Sequence, residues 1–306
     1  MISDNKRVLL TGGSGFLGSR LRNYNSKLFF TLGRTPNSDV KVDLVQEIPS
    51  LNEFENLECI VHAAGKAHSV PRDSEGEKEF FRVNVDGTRN LLKGINVLVE
   101  SNVSRVYPKQ FVFISTVAVY GLEEGINISE DQVLEPISAY GKSKLEAEKL
   151  VLDWGKEHGV NILILRLPLI FGFGAPGNLG AMEKAIKKGY YFRIGSGNAV
   201  RSMVDVEQLS DFLVNLNGSE SGMYNLVSYH RSFKEVEQIF SDKFHKRIKV
   251  IPSWMAKFAA KLGDMIPGFP LNSYRLKKLE SSLTFDCSKA EQQLGWKKLL
   301  IFSDYL

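Results

Sequence analysis

Val8-Leu9-Leu10-Thr11-Gly12-Gly13-Ser14-Gly15-Phe16-Leu17-Gly18 runs from a short apolar strand candidate into glycines spaced G-x-x-G-x-x-G. A loop of this kind feeds a helix N-terminus, where unpaired N–H groups, here those of Phe16 and Leu17, and the helix dipole favour an anion. Gly12 and Gly15 are expected to let the backbone turn tightly and approach a pyrophosphate, and Gly18 to let the helix pack closely on the sheet. A glycine-rich turn is a weak signal alone. Between a strand and a helix it has the context that a dinucleotide site demands.

Outward from this loop, short β-branched or aromatic runs alternate with helical stretches, the pattern of a parallel sheet covered by helices. Strands are predicted at Val8 to Thr11, Leu28 to Leu32, Cys59 to His62, Phe111 to Ser115 and Ile162 to Leu167, and helices at Phe16 to Asn23, Lys78 to Glu100 and Ala139 to His158. This is an α/β chain with a Rossmann-type doubly wound parallel sheet. After Leu167 the rhythm breaks into loops containing glycine and proline, which predicts a smaller C-terminal substrate-binding lobe. Residues 1–167 are read as the dinucleotide-binding domain and 168–306 as mainly that lobe. About 198–228, with a strand near Met223 to Val227, is expected to return to the main domain.

Composition excludes several classes. The 306 residues are 43% hydrophobic and 24% charged, enough to bury a large core and too apolar for disorder. The net charge of +4 comes without a long Lys/Arg block, so no nucleic-acid arm is expected and an anionic small molecule suits the chain. Cys59 and Cys287 lack metal-ligand spacing, which argues against a zinc site or a disulfide framework and fits a reducing cytoplasm. Met1 to Lys6 is polar and the first apolar run is too short for a signal peptide or a membrane span. Trp254 to Leu262, followed by Met265-Ile266, reads as an amphipathic helix suited to core or dimer packing, with membrane-surface binding as the alternative.

Two further positions concern the cofactor. The second strand ends Phe30-Thr31-Leu32-Gly33-Arg34, with no acidic residue where an NAD site presents one to the ribose hydroxyls. Arg34, unless it is an ordinary solvated turn residue, pairs with a 2′-phosphate and favours NADP over NAD. Asp43, with Leu44 beside it, is placed to accept a hydrogen bond from the adenine amino group. Farther on, Tyr140-Gly141-Lys142-Ser143-Lys144 sets a phenol and an ammonium one turn apart on a helix face. Free tyrosine, with a pKa of about 10, is a poor base at neutral pH, and Lys144 is expected to stabilise its phenolate.

Glycine loop and Tyr/Lys pair together resemble the extended short-chain dehydrogenase/reductase family, in its nucleotide-sugar epimerase, dehydratase and reductase branch, over nearly the whole chain. Val61-His62-Ala63-Ala64-Gly65 resembles the family's loop along the cofactor, which implies contacts from Ala63, Ala64 and Gly65. Asn84-Val85-Asp86-Gly87-Thr88 is similar to its N-x-x-G-T motif and places Asn84 near the active site. Phe113 to Gly121 resembles the strand that delivers the catalytic hydroxyl, with Thr116 in that role and Ser115 beside the cofactor. The resemblance implies that Tyr140 exchanges a proton with a sugar hydroxyl, that Thr116 holds the reacting oxygen, and that Lys144 also bonds the nicotinamide ribose. The family's 4,6-dehydratases carry an Asp-Glu pair after the hydroxyl residue. Here Val117 and Ala118 stand there, so dehydration is not expected.

Arg166-Leu167-Pro168-Leu169-Ile170-Phe171-Gly172 resembles a family strand end whose proline, here Pro168, borders the nicotinamide. By the same likeness Asn178 and the N–H of Leu179 contact a nucleoside diphosphate, Phe192 lies in the substrate site, and Arg201 binds phosphate. Lys278 is a second phosphate contact without an arginine fork. Asp286-Cys287-Ser288-Lys289 and Leu294-Gly295-Trp296 are similar to a structural C-terminal signature. The chain stops at Leu306, which implies that the usual final helix is missing. The expected activity is reduction of a 4-keto group on a UDP-hexose or UDP-N-acetylhexosamine with NADPH, for surface polysaccharide synthesis, by a cytoplasmic homodimer. The alternatives are a UDP-sugar 4-epimerase with tightly bound NAD and a non-catalytic NAD(P) sensor or scaffold.

Overall fold

The apolar run after the polar leader forms β1 (Val8–Thr11), whose last three residues are buried. The computed structural model describes residues 8–54, 57–67, 69, 71, 73–101, 106–216, 218, 220–266 and 271–299; the polar stretch Met1 to Lys6 and the stop at Leu306 lie outside them. After β1 come α1 (Phe16–Tyr24), β2 (Phe29–Gly33), β3 (Val40–Lys41), β4 (Cys59–His62), α2 (Ser74–Phe81), α3 (Gly87–Glu100) and β5 (Gln110–Thr116). They are followed by β6 (Gly125–Ile128), α4 (Ala139–His158), β7 (Asn161–Leu167), β8 (Leu169–Phe171), α5 (Gly177–Lys188), β9 (Phe192–Ile194) and β10 (Val200–Asp205). The chain continues through α6 (Val206–Val214), β11 (Gly222–Asn225), β12 (Tyr229–Ser232), α7 (Phe233–Phe244) and β13 (Lys249–Ile251). It ends with α8 (Ser253–Met265), α9 (Ser273–Glu280), β14 (Leu283–Phe285) and α10 (Ser288–Leu294).

Seven strands form one sheet in the order β3-β2-β1-β4-β5-β7-β11, and every pairing in it is parallel. Parallel strands covered on both faces read as continuous apolar runs. Leu10, Val61, Val112 and Leu163 pack with Leu17 and Leu21 of α1 and Leu209 of α6. On the opposite face Leu9, Ile60, Phe111 and Ile162 meet Leu91 and Ile95 of α3 and Val151 of α4. The architecture is the expected doubly wound α/β sheet.

A second sheet runs β12-β10-β14-β6, with β8 also on β10. It draws β6 from within residues 1–167, because Gly125 and Ile128 pair with Leu283 and Phe285 of β14 far along the chain. In the segment 198–228, β10 lies in this second sheet, α6 packs on α1, and β11 joins the main sheet beside β7. The single helix read over Lys78 to Glu100 begins earlier, at Ser74, where the Asp73 carboxylate caps it by accepting the Gly76 N–H at 2.8 Å. A π-helical turn, Arg82–Asp86, interrupts it. α8 does not pack its large apolar residues in the core: it buries Ala256 and Ala260, which meet Leu276 of α9, Ile194 of β9 and Ile251 of β13.

Candidate active site

β1 is flanked by β2 and β4, so the loops after β1 and β4 leave the same edge side by side where the chain reverses its direction of travel across the sheet. Such a crevice is where open α/β sheets bind ligands. Gly12 has φ +73°, and a Cβ on it would stand 2.6 Å from the Ala63 carbonyl carbon and the Ala64 nitrogen. The two loops therefore lie on each other without room for a side chain. A Cβ on Gly18 would strike the Gly12 carbonyl, so the close approach there is of helix on loop rather than helix on sheet. Gly15 is the N-cap of α1, no side chain caps the helix, and its first turn holds no acid. The N–H groups of Phe16, Leu17 and Gly18 thus have no intrahelical acceptor, which fits a pyrophosphate.

At the adenosine end, Arg34 is exposed just past β2, and its charge is felt by Glu79. Asp43 accepts the Val45 N–H at 3.1 Å, and the Leu44 carbonyl accepts from Asn90 at 2.9 Å. These bonds fix the chain segment that follows β3.

Beneath the crevice runs a hydrogen-bonded chain that the sequence reading did not pick out. The Ala64 N–H donates to Thr11 Oγ1 at 3.1 Å, and Thr11 Oγ1 lies 2.6 Å from His62 Nδ1. On the other side, His62 Nε2 is 2.9 Å from Thr88 Oγ1, which donates to the Asn84 carbonyl at 2.6 Å. Thr88 has one proton and gives it to Asn84, so it accepts from His62, and the imidazole carries its proton on Nε2. Burial, with the Lys144 charge adding to it, pushes the His62 pKa down to about 3, and the ring is neutral. Thr11 and His62 face each other in register at the ends of β1 and β4, a pairing of polar strand ends that was visible in the sequence.

Asn84 sits in the π-helical turn, a local irregularity often found at functional sites. Its Oδ1 accepts the Lys66 N–H at 2.7 Å, and its Nδ2 donates to the Lys66 carbonyl at 3.1 Å and to Ser143 Oγ at 2.9 Å. Ser143 donates in turn to the Tyr140 carbonyl at 2.9 Å. The loop holding Ala63, Ala64 and Gly65 is thereby tied to the helix that carries the Tyr/Lys pair.

That helix is α4, capped by Ser138, whose Oγ accepts the Gly141 N–H at 3.0 Å. A Cβ on Gly141 would lie 2.5 Å from the Ala118 carbonyl oxygen, so glycine lets the first turn of α4 rest on the 3₁₀ turn Val117–Tyr120. This contact brings Tyr140 to the end of β5. There the Thr116 hydroxyl accepts the Ala118 N–H at 3.2 Å and stands close enough to Tyr140 to lower the phenol's pKa. Lys144 is buried one turn along, with Nζ 3.9 Å from the centre of the Phe113 ring. Its pKa is pushed down to about 7 by burial, which the Glu148 charge opposes.

The expected lowering of the Tyr140 pKa by Lys144 is not found. Burial raises the phenol above its usual value, and the neighbouring Thr116 hydroxyl is what pulls it back. The physical reason is that Lys144 is itself desolvated and faces Phe113. The protein alone holds both groups towards their neutral forms. Ser115 also departs from expectation: its hydroxyl donates to Glu148, which pairs with Arg166 at 2.8 Å in the interior, so its side chain turns away from the cofactor crevice.

The substrate-side residues are dispersed. Pro168 lies between β7 and β8, directly past the end of β7. Asn178 is exposed in the first turn of α5, while the Leu179 side chain is in the core and only its N–H, in the uncapped first turn, is left for a ligand. Phe192 starts β9 and is partly exposed. The Arg201 guanidinium, expected on phosphate, donates to the Ser281 carbonyl and to the Lys278 carbonyl at 2.7 Å, because the end of α9 offers it acceptors. Lys278, also expected on phosphate, points its ammonium at Glu123, 3.2 Å away.

Residues 8–226 match the model of the NAD dependent epimerase/dehydratase family. The chain belongs to that family. Among its curated relatives, the UDP-glucose 4-epimerase of Vibrio cholerae is 29% identical, covering 95% of this chain and 90% of its own length. The N-acetyl-alpha-D-glucosaminyl-diphospho-ditrans,octacis-undecaprenol 4-epimerase of Escherichia coli O157:H7 is 28% identical over 93% of this chain and 88% of its own. The crystal structure of the Thermus thermophilus UDP-glucose 4-epimerase complex with NAD superposes with a TM-score of 0.72 at 24% identity, covering 97% of this chain and 95% of that one. Membership makes the chain an enzyme of the nucleotide-sugar epimerase and reductase type; in it the Gly12 loop follows β1, Thr116 ends β5, and Tyr140 and Lys144 lie early in α4.

Proposed function

We propose that the protein is an NAD(P)-dependent oxidoreductase acting at carbon 4 of a UDP-hexose or UDP-N-acetylhexosamine, working as a 4-ketoreductase in surface polysaccharide synthesis. The observation that carries this reading is Lys144, buried one turn along α4 from Tyr140, with the Thr116 hydroxyl close enough to Tyr140 to lower the phenol's pKa. A bound dinucleotide would supply the hydride at carbon 4. Tyr140 passes its phenolic proton to the oxygen of that carbon as the ketone becomes an alcohol, or takes it in the reverse direction. Thr116 holds the same oxygen, and Lys144 bonds the cofactor ribose and supplies charge as it titrates. Val117 and Ala118 carry no proton, which speaks against elimination of water.

For the cofactor, the uncapped N-terminus of α1 supports pyrophosphate binding. Exposed Arg34, with no acid at the end of β2, supports a 2′-phosphate and hence exchangeable NADPH. For the substrate, the Asn178 side chain, the Leu179 N–H, Phe192, Arg201 and Lys278 are the proposed contacts to the UDP, Arg201 and Lys278 exchanging their present partners for phosphate. A second reading, a 4-epimerase retaining NAD, is supported by the likeness to the Vibrio cholerae enzyme over nearly the whole chain. Both readings include a cytoplasmic homodimer.

Purified protein given a UDP-4-keto-6-deoxy sugar should oxidise NADPH, and the Y140F variant should lose roughly 10²- to 10⁴-fold in turnover. Epimerisation of a UDP-sugar without added cofactor would replace the reductase reading by the epimerase one. Unchanged turnover in Y140F would remove the proton-transfer role.

A further inference from the structure

α8 turns the usual arrangement of an amphipathic helix outwards. Its buried face is made by Ala256 and Ala260, whereas Trp254 is 72% exposed, Phe258 65%, Leu262 42% and Met265 80%. At about 100° per residue these four fall on the side opposite the alanines and form one ridge along the helix. Lys257 and Lys261, both exposed, run along one border of the ridge. The acid of that border, Asp264, accepts the Ser273 N–H at 2.9 Å and the Ser273 hydroxyl at 2.5 Å, which directs it towards α9. A contiguous apolar ridge of this size marks an interaction surface.

We propose that α8 docks the protein on an anionic lipid surface, lying flat with Trp254, Phe258, Leu262 and Met265 among the acyl chains and Lys257 and Lys261 at the headgroups. A short helix with a bulky apolar face led by tryptophan and bordered by lysines has the composition that suits the membrane interface. A second copy of the chain fits less well. An antiparallel two-fold pairing would set the lysine border against itself, and four side chains fall far short of the roughly 20 to 30 residues that each partner brings to a standard interface. The docking helix belongs to the substrate lobe: α8 packs on α9, and the C-terminal end of α9 holds the Arg201 guanidinium. No helix among the described residues is long and apolar enough to cross a membrane, so the contact is interfacial rather than spanning.

The protein reports on this itself. Of its three tryptophans, Trp154 and Trp296 are buried and Trp254 is exposed. Titrating the full chain with vesicles of phosphatidylcholine containing a third of phosphatidylglycerol should blue-shift the emission, and the protein should float with the vesicles. W254S/F258S should lose at least about tenfold in partitioning. K257Q/K261Q, which leaves the apolar ridge intact, should lose roughly fivefold per lysine on the anionic vesicles and little on pure phosphatidylcholine. Absence of flotation and of a blue shift in the wild-type protein overturns the proposal. A wild-type dimer that ignores vesicles and becomes monomeric in W254S/F258S by sedimentation also overturns it, and assigns the ridge to a second copy.

Discussion

Two buried bases show what single residues cost and supply. Lys144 has its pKa lowered from 10.5 to about 7, and His62 from 6.5 to about 3, in both cases first of all by burial. Stability rises with pH wherever the unfolded chain holds more protons than the folded one. From about pH 3 to 6.5 that excess proton belongs to His62, and from about pH 7 to 10.5 to Lys144. Acidification below pH 6.5 therefore destabilises the fold through His62, and stability climbs again above neutrality as the unfolded Lys144 alone stays charged. K144M should remove the upper slope and raise the unfolding free energy at pH 7 by roughly 1–3 kcal/mol, while turnover is lost. Denaturant unfolding of wild type, K144M and H62Q across pH 4 to 10 checks both limbs. Equal slopes above pH 7 for wild type and K144M would contradict the burial of Lys144.

Among the elements, α4 depends on how closely it approaches the turn after β5. Gly141 permits that approach, since a Cβ there would be 2.5 Å from the Ala118 oxygen and 3.0 Å from Pro136. G141A should push the first turn of α4 away and separate Tyr140 from Thr116, lowering kcat by about 10²-fold for a displacement near 1 Å. Steady-state turnover with thermal unfolding in parallel separates this from loss of fold, and unchanged kcat would mean that the turn yields instead. This spacing explains why the site was legible in part. The strand before Gly12, the helix after it and the four-residue step from Tyr140 to Lys144 are local patterns, and local patterns are written in consecutive residues. The π-helical turn at Asn84 has no such mark, because it depends on bonds to Lys66 and Ser143 from other elements. The same holds for Arg201, which turns to carbonyls of residues 278 and 281, and for β6, whose partner β14 lies far along the chain.

Across the whole molecule, one buried polar network joins the two sheets. Arg166 of β7 donates to Glu148 of α4 at 2.8 and 3.2 Å and to the Tyr120 hydroxyl at 3.2 Å. Tyr120 donates to Asn225 of β11 at 2.8 Å, and the Asn225 amide reaches the Ile128 carbonyl of β6 at 3.2 Å. The path thus leads from α4, through the main sheet, into the second one. Both side chains of the ion pair are almost fully buried, so removing one partner strands the other charge away from water. R166M should cost about 3–5 kcal/mol of unfolding free energy, whereas R166M/E148M, which removes both charges, should recover most of it. A double-mutant cycle by denaturant unfolding measures that coupling. Glu148 also opposes the lowering of the Lys144 pKa, so E148M should move the Lys144 limb of the stability profile to lower pH. Recovery of stability in the double variant together with that displacement would identify the network as one that sets the charge of the site. Recovery without it would leave the network a purely structural bridge between the sheets.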